Sequence, residues 1–497
     1  MSLMVSVSGI RGIYGESLTP ENLVKYSAAF GTWAGGKIVV GRDSRVTGEI
    51  CEKIVTATLQ SVGCDVISTG IAPTPSIAMA VLKHKASGGI ILSASHNPAE
   101  WNALKLLNED SEFLDEKEGN EVLAIAEKGV FPYKKYTSIG KLTSDNMVID
   151  HHVKAILDLP YIDAKVIGQA NFSVVVDAVN GAGSYAIPFL LDKLGVKHVK
   201  KLHCIPDGLF PHNPEPLPEN LGDICDLIKI QKYDLGVVVD PDADRLALVD
   251  EKGNLFGEEY TQAMAFDFYL SQNRGDICTN LSSSMICDYI ADWHGVKCHR
   301  SAVGEINVVD KMRETGSVIA GEGNGGVINP DLHAGRDALL GIAMVLQHLA
   351  EKKVTASEYR ESLPNYYIVK NKVNIGKTDP DMLLTRVAHR FAKYDPDITD
   401  GVKINFEKSW APGALYYLGT VYIIVQNNDR AERKFEMYVE EYPEGSHYQD
   451  ALYNYYNIAS KQRRRREAVD RGERYMEEFP GSSRSRKVEV RLKVLGR

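Results

Sequence analysis

Short apolar runs alternate with longer amphipathic segments up to about residue 350 of the chain. Short apolar runs bounded by Gly, Asp, Asn or Ser predict buried strands, and apolar residues recurring every three to four positions predict helices. The predicted strands include "KIVVGRD", "GGIILSAS", "FSVVVDAV", "LGVVVDPD" and "SVIAGEG", and the predicted helices include "ENLVKYSAAFGTWA", "GSYAIPFLLDKLG" and "DALLGIAMVLQHLAEK". Strands that alternate with helices in this way indicate layered α/β domains.

A polar loop follows a predicted strand roughly every hundred residues, and these loops carry Ser95, Asp240 and Glu322 in turn. We therefore predict three similar α/β domains. Because ligands of α/β sheets bind at the carboxyl ends of strands, the same loops are the places to look for chemistry. The predicted domain boundaries are 1–150, 151–255 and 256–365.

The pattern changes after the third predicted domain. Residues 366–410 have the pattern of a strand, a helix and a second strand, which predicts a truncated α+β fourth domain. Residues 411–497 contain a repeat, because "YVEEYPEGS" at 438–446 returns as "YMEEFPGSS" at 475–483, with the two prolines 37 residues apart. A period of about 34–37 residues with paired helices is typical of tetratricopeptide-like repeats, so we predict an all-α helical-repeat tail.

Composition narrows the classes of function. The 497 residues carry a net charge of −9, which argues against nucleic acid as a partner because phosphate contacts require a basic surface. No apolar run approaches the ~18 residues of a membrane span, and the N-terminus lacks the pattern of a signal peptide. The seven cysteines form no CxxC pair, so we expect reduced thiols and a cytoplasmic protein.

The segment "LGVVVDPDADRLALVD" places three carboxylates, Asp240, Asp242 and Asp244, on a loop that leaves a strand. Carboxylates this close repel each other and need a cation, and hard oxygen ligands suit Mg²⁺. The spacing is not that of a calcium-binding EF-hand, because Arg245 stands where the loop needs glycine. A solvated acidic turn and a haloacid-dehalogenase-type aspartate nucleophile remain alternatives, although the latter would leave Ser95 unexplained.

The segment "SASHNPAEWNALK" follows another apolar run and presents Ser95 as a candidate phosphoryl acceptor. We expect "NPAEWNALK" to open a helix, whose N-terminus would favour an anion. Lys105 is close enough in sequence to act as a general acid/base on a sugar hydroxyl, provided that neighbouring cations lower its pKa. The alternative interpretation is an ordinary capped helix start.

Two other segments have weaker signals. "GEGNGG" at 321–326 contains G-x-G-x-x-G, but no helix pattern follows it, which argues against nucleotide binding. Its carboxylate, Glu322, suits hydrogen bonding to two adjacent sugar hydroxyls, and an exposed glutamate on a tight turn is the alternative. "SGIRG" and "GRDSR" are arginine-bearing loops that carry little information alone.

Taken together, "SASHNP", "DPDADR", "GEGNGG" and "SGIRG" resemble the motifs of the α-D-phosphohexomutase family, over residues 1 to about 410. This family includes phosphoglucomutase/phosphomannomutase and phosphoglucosamine mutase. The resemblance implies three similar α/β/α domains with mixed sheets. It also implies an isomerase that transfers a phosphoryl group between the 1- and 6-positions of a hexose phosphate, through a phosphoserine and a hexose 1,6-bisphosphate.

The resemblance also implies roles for individual residues and one cofactor, Mg²⁺. Phospho-Ser95 would donate its phosphoryl group, with Arg11 and Lys105 as the acid/base and charge-stabilising pair. The implied catalytic residues are Ser95, Arg11, His96, Lys105 and Arg245; the implied substrate-binding residues are Glu322 and Asn324; and the implied metal ligands are Ser95, Asp240, Asp242 and Asp244.

Two departures from the family pattern bear on specificity and activity. Asn324 and Gly326 stand where many members carry Ser and His, which favours phosphoglucosamine mutase. The family's phosphate-binding loop of the form R-x-S-N/G-T-x-P is missing from 411–497. Because binding of the remote phosphate positions the reacting end, we expect weakened catalysis.

A second function class fits the tail. Repeats of paired helices usually stack into concave surfaces that bind proteins. The chain would then be a phosphosugar-binding or protein-interaction protein that acts through its helical-repeat tail.

Overall fold

The computed structural model describes residues 3–6, 9–366, 379–394, 396–404, 410–424, 427–462 and 464–495. The chain forms two compact units, Met1–Asn365 and Tyr366–Arg497. The first strand predicted for the fourth domain lies almost entirely outside the described residues, as do residues 405–409 of the second. No helix within the described parts of the chain is both long and apolar enough to span a bilayer.

The first sheet has seven strands, in the order β1-β2-β6-β5-β3-β4-β7. Strands β3, β4, β5 and β7 run parallel, whereas β1, β2 and β6 join the sheet by antiparallel pairing. The strands are β1 (Met4–Ser6), β2 (Gly9–Ile13), β3 (Lys37–Arg42), β4 (Asp65–Ile71), β5 (Gly88–Leu92), β6 (Trp101–Leu107) and β7 (Leu142–Ser144); the helices are α1 (Pro20–Ala34), α2 (Gly48–Ser61), α3 (Thr74–His84), α4 (Glu116–Lys128) and α5 (Val148–Leu157).

The helix expected in "NPAEWNALK" does not form, because its second half belongs to β6. This strand lies between β2 and β5 and pairs antiparallel with both. Six of its seven residues are buried, from Asn102 to Leu107. The backbone ladder and burial in the sheet outweigh the local helix signal, which is how tertiary context commonly overrides propensity.

The second and third sheets repeat the mixed pattern with four and five strands, in the orders β11-β10-β8-β9 and β13-β12-β14-β15-β16. The second region contains α6 (Ala164–Ala170), β8 (Ser173–Asp177), α7 (Gly183–Lys193), β9 (His198–Leu202), a short 3₁₀ turn (Pro218–Asn220), α8 (Gly222–Gln231), β10 (Leu235–Val239) and β11 (Leu246–Val249). The third contains α9 (Glu258–Gln272), β12 (Ile277–Asn280), α10 (Ile286–His294), β13 (Cys298–Ser301), α11 (Glu305–Thr315), β14 (Ile319–Glu322), β15 (Gly326–Asn329), β16 (His333–Arg336), α12 (Ala338–Lys352) and α13 (Ala356–Ser362). The three α/β/α domains predicted from the sequence are confirmed.

One connection is equivalent in all three sheets. Three loops, β5–β6, β10–β11 and β14–β15, occupy this position. In each case the strand before the loop has a parallel neighbour, and the strand after the loop pairs antiparallel with the strand before it. Each loop holds one residue in the left-handed backbone region: Ser95 (φ 49°), Ala243 (φ 53°) and Gly325 (φ 86°). This shared backbone feature is further evidence that the three loops are equivalent.

Apart from an isolated antiparallel bridge between Asp397 and Lys403, the elements of the second unit in the described residues are helical. Its elements are α14 (Pro380–Arg390), a 3₁₀ turn (Ala392–Tyr394), α15 (Trp410–Ile424), α16 (Asn428–Glu441), α17 (Tyr448–Lys461), α18 (Arg465–Glu478) and α19 (Ser485–Leu495). Helices α16 and α18 have 14 residues each, and the start of α18 follows the start of α16 by the same 37 residues that separate the sequence repeats. A buried aromatic cluster that includes Tyr422, Phe435, Tyr438 and Tyr475 joins successive helices. The predicted all-α tail is confirmed.

Candidate active site

A cavity of about 190 Å³ in the first unit brings the five predicted catalytic residues together. They come from β2, from the β5–β6 and β10–β11 loops and from β6, so elements far apart in sequence meet at one place. The cavity lining consists of Arg11, Ser95, His96, Lys105, Phe113, Arg245, Gly304, Glu305, Ile306 and Arg336.

Ser95 lies directly against the acidic loop of the second sheet. Its Oγ donates a hydrogen bond of 2.7 Å to Asp240 Oδ2, and it lies 3.3 Å from Nδ1 of His96. The side chain is only 3% exposed and its backbone is left-handed. The serine hydroxyl and the carboxylates therefore share one cleft, which is the geometry that a shared cation requires.

Asp240, Asp242 and Asp244 form a group that we call the aspartate triad. All three are fully buried, and one oxygen of each lies within 4.8 Å of the others. Burial, followed by the charges of Asp244 and Asp242, raises the pKa of Asp240 well above its usual value. The Oδ1 atoms of Asp242 and Asp244 are buried without a hydrogen-bond partner. Buried anionic oxygens without partners are costly, so the triad fits a divalent cation.

Lys105 bonds to the aspartate triad from β6. Its Nζ donates to Oδ2 of Asp242 at 2.6 Å and lies 3.4 Å from Oδ2 of Asp244. Burial alone would lower the pKa of Lys105, but the two carboxylates outweigh burial and raise it. The expected lowering is not seen, because Lys105 faces anions rather than cations in this structure. A cation held by the same carboxylates would oppose this effect.

The other cationic residues form a positive wall of the cavity. Arg11 Nη1 donates to Asn97 Oδ1 at 2.8 Å, and Arg245 Nη1 lies 3.8 Å from Glu215 Oε1. Burial and then the charge of Arg245 lower the pKa of His96 to about 3, so this imidazole is neutral near pH 7. Guanidinium groups bind phosphoryl oxygens well, and this wall suits a phosphate group.

The predicted sugar-binding residues lie outside the described cavity lining. Glu322 accepts hydrogen bonds from Asn280 Nδ2 at 2.8 Å and from Arg336 Nη1 at 2.9 Å, so both of its oxygens are occupied. Asn324 Oδ1 accepts from the backbone nitrogen of Gly326 at 3.2 Å. Their contact with a sugar stays a prediction.

Arg336 was not predicted from the sequence. Its guanidinium donates to Asp244 at 2.7 Å, to Glu305 at 2.8 Å and to Glu322 at 2.9 Å. It therefore connects the aspartate triad to the glycine-rich loop. The only sequence signal was an arginine at the end of a short strand, which is too common to single out.

Arg45 was not predicted as a site residue either, although it lies in the arginine-bearing segment "GRDSR". Its buried guanidinium donates to four backbone oxygens of the segment 95–101, at 2.5–3.0 Å, and pairs with Asp43 at 2.9 Å. Ser93 Oγ also donates to Asp43, at 2.7 Å, and accepts from the backbone nitrogen of Ser95. Arg45 and Asp43 thus hold the serine in place without reaching the cavity.

Comparisons with known proteins agree with this geometry. Residues 3–132, 150–253 and 257–367 match the family models described as phosphoglucomutase/phosphomannomutase, alpha/beta/alpha domains I, II and III. A phosphoglucomutase/phosphomannomutase of Thermococcus kodakarensis is 37% identical over 451 residues, which cover 88% of this chain and 97% of the relative. At 88% coverage, the match continues into the second unit.

Two further comparisons give the same result. A phosphoglucosamine/phosphogalactosamine mutase of Sulfurisphaera tokodaii is 30% identical over 423 residues, with 82% of this chain and 92% of the relative covered. The crystal structure of a phosphoglucomutase/phosphomannomutase family protein from Burkholderia thailandensis superposes with a TM-score of 0.69 at 25% identity, and the match covers 81% of this chain and 89% of that one. The resemblance drawn from four motifs is confirmed, and the chain belongs to the phosphoglucomutase/phosphomannomutase family.

Proposed function

We propose that this protein is a phosphohexomutase that interconverts the 1- and 6-phosphates of a hexose. The observation that carries the proposal is the 2.7 Å contact between Ser95 Oγ and Asp240, which brings the proposed nucleophile to the proposed metal site. Five candidate catalytic side chains around one cavity add support. The membership of the family adds a third, independent line.

In the first proposed step, phospho-Ser95 gives its phosphoryl group to a sugar hydroxyl. The bond between phosphorus and Ser95 Oγ breaks, a bond to the sugar oxygen forms, and the hydroxyl proton passes to a base. We propose that Arg11 and Lys105 act as the acid/base and charge-stabilising pair. His96 and Arg245 have supporting roles in the same cavity. Positioning and charge stabilisation are what phosphoryl transfer mainly requires from a protein.

Before the second proposed step, the hexose bisphosphate reverses its orientation in the cleft, so that its other phosphate faces Ser95. The bond from its other phosphorus to the sugar oxygen breaks, and that phosphoryl group returns to Ser95 Oγ. The released sugar oxygen takes back a proton, so the enzyme is restored and the substrate is only isomerised. Arg11 and Arg245 line the same cavity as Ser95, which supports their proposed role in stabilising charge on the reacting phosphoryl group.

We further propose Mg²⁺ as the cofactor, held by the aspartate triad and an oxygen on Ser95. When bound, this ion neutralises charge that develops on the transferred phosphoryl group. Support comes from the two buried oxygens of Asp242 and Asp244 that lack partners, and from the all-oxygen ligand set.

For the substrate, we propose glucosamine phosphate before glucose or mannose phosphate. Asn324 and Gly326 favour that choice, and relatives with phosphoglucosamine mutase in their names add support. Glu322 and Asn324 are the proposed sugar contacts. This assignment requires Glu322 to exchange one of its present partners, Asn280 or Arg336, for a sugar hydroxyl. We keep a cytoplasmic location as part of the proposal, and the seven free cysteines support it.

The test combines phosphate analysis with activity. Mass spectrometry of the purified protein should find phosphate on Ser95, and a coupled assay should detect turnover of glucosamine 6-phosphate, glucose 1-phosphate or mannose 1-phosphate. Ser95→Ala should abolish both, whereas Ser138→Ala, at an exposed serine, should change neither. Undiminished turnover in Ser95→Ala, or no turnover of any of the three by the native protein, would refute the proposal.

A further inference from the structure

A second group of potential metal ligands lies in the second sheet, and the proposed mutase reaction does not use it. Asp177 is the last residue of β8, His203 follows β9, and His212 comes from the loop beyond it. One ligand atom from each lies within 4.8 Å of the other two. The group shares no residue with the aspartate triad.

Both imidazoles converge on a single carboxylate oxygen. His203 Nδ1 lies 3.0 Å and His212 Nε2 lies 3.1 Å from Oδ2 of Asp177. A tetrahedral zinc ion with bonds of about 2.0–2.1 Å holds its ligand atoms roughly 3.3 Å apart. The observed separations are close to that value, so a small shift of the side chains would complete one face of a tetrahedron.

The hydrogen bonds around the group determine which atoms carry protons. His212 Nδ1 lies 2.8 Å from the carbonyl oxygen of Asn213, which only accepts, so Nδ1 bears the hydrogen. In a neutral ring, Nε2 then presents a lone pair to the Asp177 carboxylate. Two lone pairs at this distance repel, so a positive centre must lie between them, either an added proton or a metal ion.

Asp177 and His212 have outer hydrogen bonds of the kind that orient metal ligands. The second oxygen of Asp177 accepts from the backbone nitrogen of Val179 at 2.9 Å, which fixes the direction of Oδ2. The far nitrogen of His203 lies 3.9 Å from Asp223 Oδ2. Metal-bound histidines usually donate their other N–H to a backbone carbonyl or a carboxylate, and His212 has such a partner in Asn213.

Accessibility distinguishes this group from another one in the same unit. His203 and His212 keep 18% and 15% of their side chains exposed, so an ion can reach them from solvent. The group His152, His333 and Asp337 is completely buried and offers no comparable path. A binding site needs such a path as well as suitable ligands.

We propose that Asp177, His203 and His212 form a second metal site, which binds Zn²⁺ with its fourth position open to water. Nitrogen and carboxylate ligands in this number suit Zn²⁺ better than Mg²⁺. The proposed role of the ion is to stabilise a loop, because the group shares no residue with the aspartate triad. Asn180 donates its backbone N–H to the carbonyl oxygen of His203 at 2.7 Å, and its own carbonyl accepts from Ser44 Oγ at 2.7 Å. The bound ion would thereby stabilise the loop after β8, whose Asn180 contacts Ser44, the residue next to Arg45.

The test uses the full-length protein, stripped with a chelator and then saturated with Mg²⁺ to occupy the aspartate triad. Titration with Co²⁺ as a spectroscopic substitute should give one equivalent with the intense visible bands of tetrahedral coordination. His203→Gln and His212→Gln should lose these bands and bind Zn²⁺ at least about 100-fold more weakly. His198→Gln, at an exposed histidine in β9, should behave as the native protein. Bands that persist in both ligand variants would overturn the proposal.

A second measurement uses the native protein, so its result does not depend on whether the variants fold. Zn²⁺ should protect His203 and His212, but not His198, from modification by diethyl pyrocarbonate, as mapped by mass spectrometry. It should also raise the midpoint of thermal unfolding. Equal modification with and without Zn²⁺ would mean that protons alone join the two histidines to Asp177. These readouts do not depend on mutase activity, so they stand or fall separately from the proposed function.

Discussion

At the scale of single residues, the position of Ser95 depends on a side chain that never reaches the cavity. Arg45 is fully buried, and its bonds to four backbone oxygens and to Asp43 fix the loop that carries the serine. The meeting of Ser95 with the aspartate triad was predictable from the resemblance to the family, although the two loops leave different sheets. The role of Arg45 was not predictable, because it exists only once the β5–β6 loop has folded against β3.

Replacing Arg45 tests this dependence. Arg45→Met should lower the free energy of unfolding in urea by about 3–5 kcal/mol, because Asp43 is left as a buried charge without its partner. Lys53→Met removes an exposed ion pair with Glu49 and should cost less than about 1 kcal/mol. Equal losses in the two variants would show that Arg45 does not hold the loop.

The two oxygens of the aspartate triad that lack partners lead to a metal prediction. Mg²⁺ should raise the midpoint of thermal unfolding of the native protein, because the ion binds the folded triad and not the unfolded chain. Asp242→Asn should lose most of this response, whereas Asp226→Asn, at an exposed aspartate of α8, should keep it. Calorimetry with and without chelator measures both, and a full response in Asp242→Asn would place the ion elsewhere.

At the scale of elements, long amphipathic segments were predictable and pairing-dependent ones were not. The segments predicted as α1, α7 and α12 are helices in the structure, because each is long and rich in apolar residues; α12 is buried on every side from Ala338 to Ala350. The segment after Ser95 became β6, because two neighbouring strands satisfied its backbone. Local sequence contains no information about the pairing with β2, which lies far upstream in the chain, whereas β5 directly precedes the loop.

A buried carboxylate joins four helices of the third α/β layer. Asp267 of α9 accepts from His294 of α10 at 2.7 Å, from His348 of α12 at 3.0 Å and from Tyr359 of α13 at 2.8 Å. Burial alone would raise the pKa of Asp267, but the hydrogen bonds from His348 and His294 hold it well below its usual value. The ionised form therefore stabilises the packing of these helices.

This cluster gives a pH dependence with a defined sign. Because the folded-state pKa of Asp267 lies below that of the unfolded chain, its stabilisation is present at neutral pH and is lost as the pH falls. Asp267→Asn should cost about 3 kcal/mol near pH 7, and the difference from the native protein should shrink between about pH 5 and about pH 3. Urea unfolding across this range measures it, with Asp292→Asn as an exposed control on α10. A constant difference would contradict the assignment.

At the scale of the whole molecule, the chain divides after Asn365. The sequence predicted a new segment at 366 and the repeat that follows it. It did not predict that α14 and α15 share an apolar cluster, formed by Val387, Phe391 and Tyr417. That cluster depends on side chains from both sides of the predicted boundary between 366–410 and 411–497. The domain boundaries and a protein partner for the helical tail stay predictions.

Two truncations test this division. Removing 411–497 takes Tyr417 away and exposes Val387 and Phe391, whereas removing 366–497 leaves that cluster out entirely. We expect the longer fragment, 1–410, to be cut rapidly by protease after residue 365 and to aggregate more readily than 1–365. Thermal unfolding and limited proteolysis give the comparison, and a fragment 1–410 that resists protease throughout would contradict it.

The fixed spacing of the tail helices allows the tail to be lengthened. Helices α16 and α17 are followed at a constant offset by α18 and α19, and each helix contacts the next along the chain. A tandem duplication of residues 428–464 would therefore insert one more hairpin whose surfaces already match both neighbours. Gene duplication or engineering can therefore vary the length of the tail without changing the sequence of the first unit.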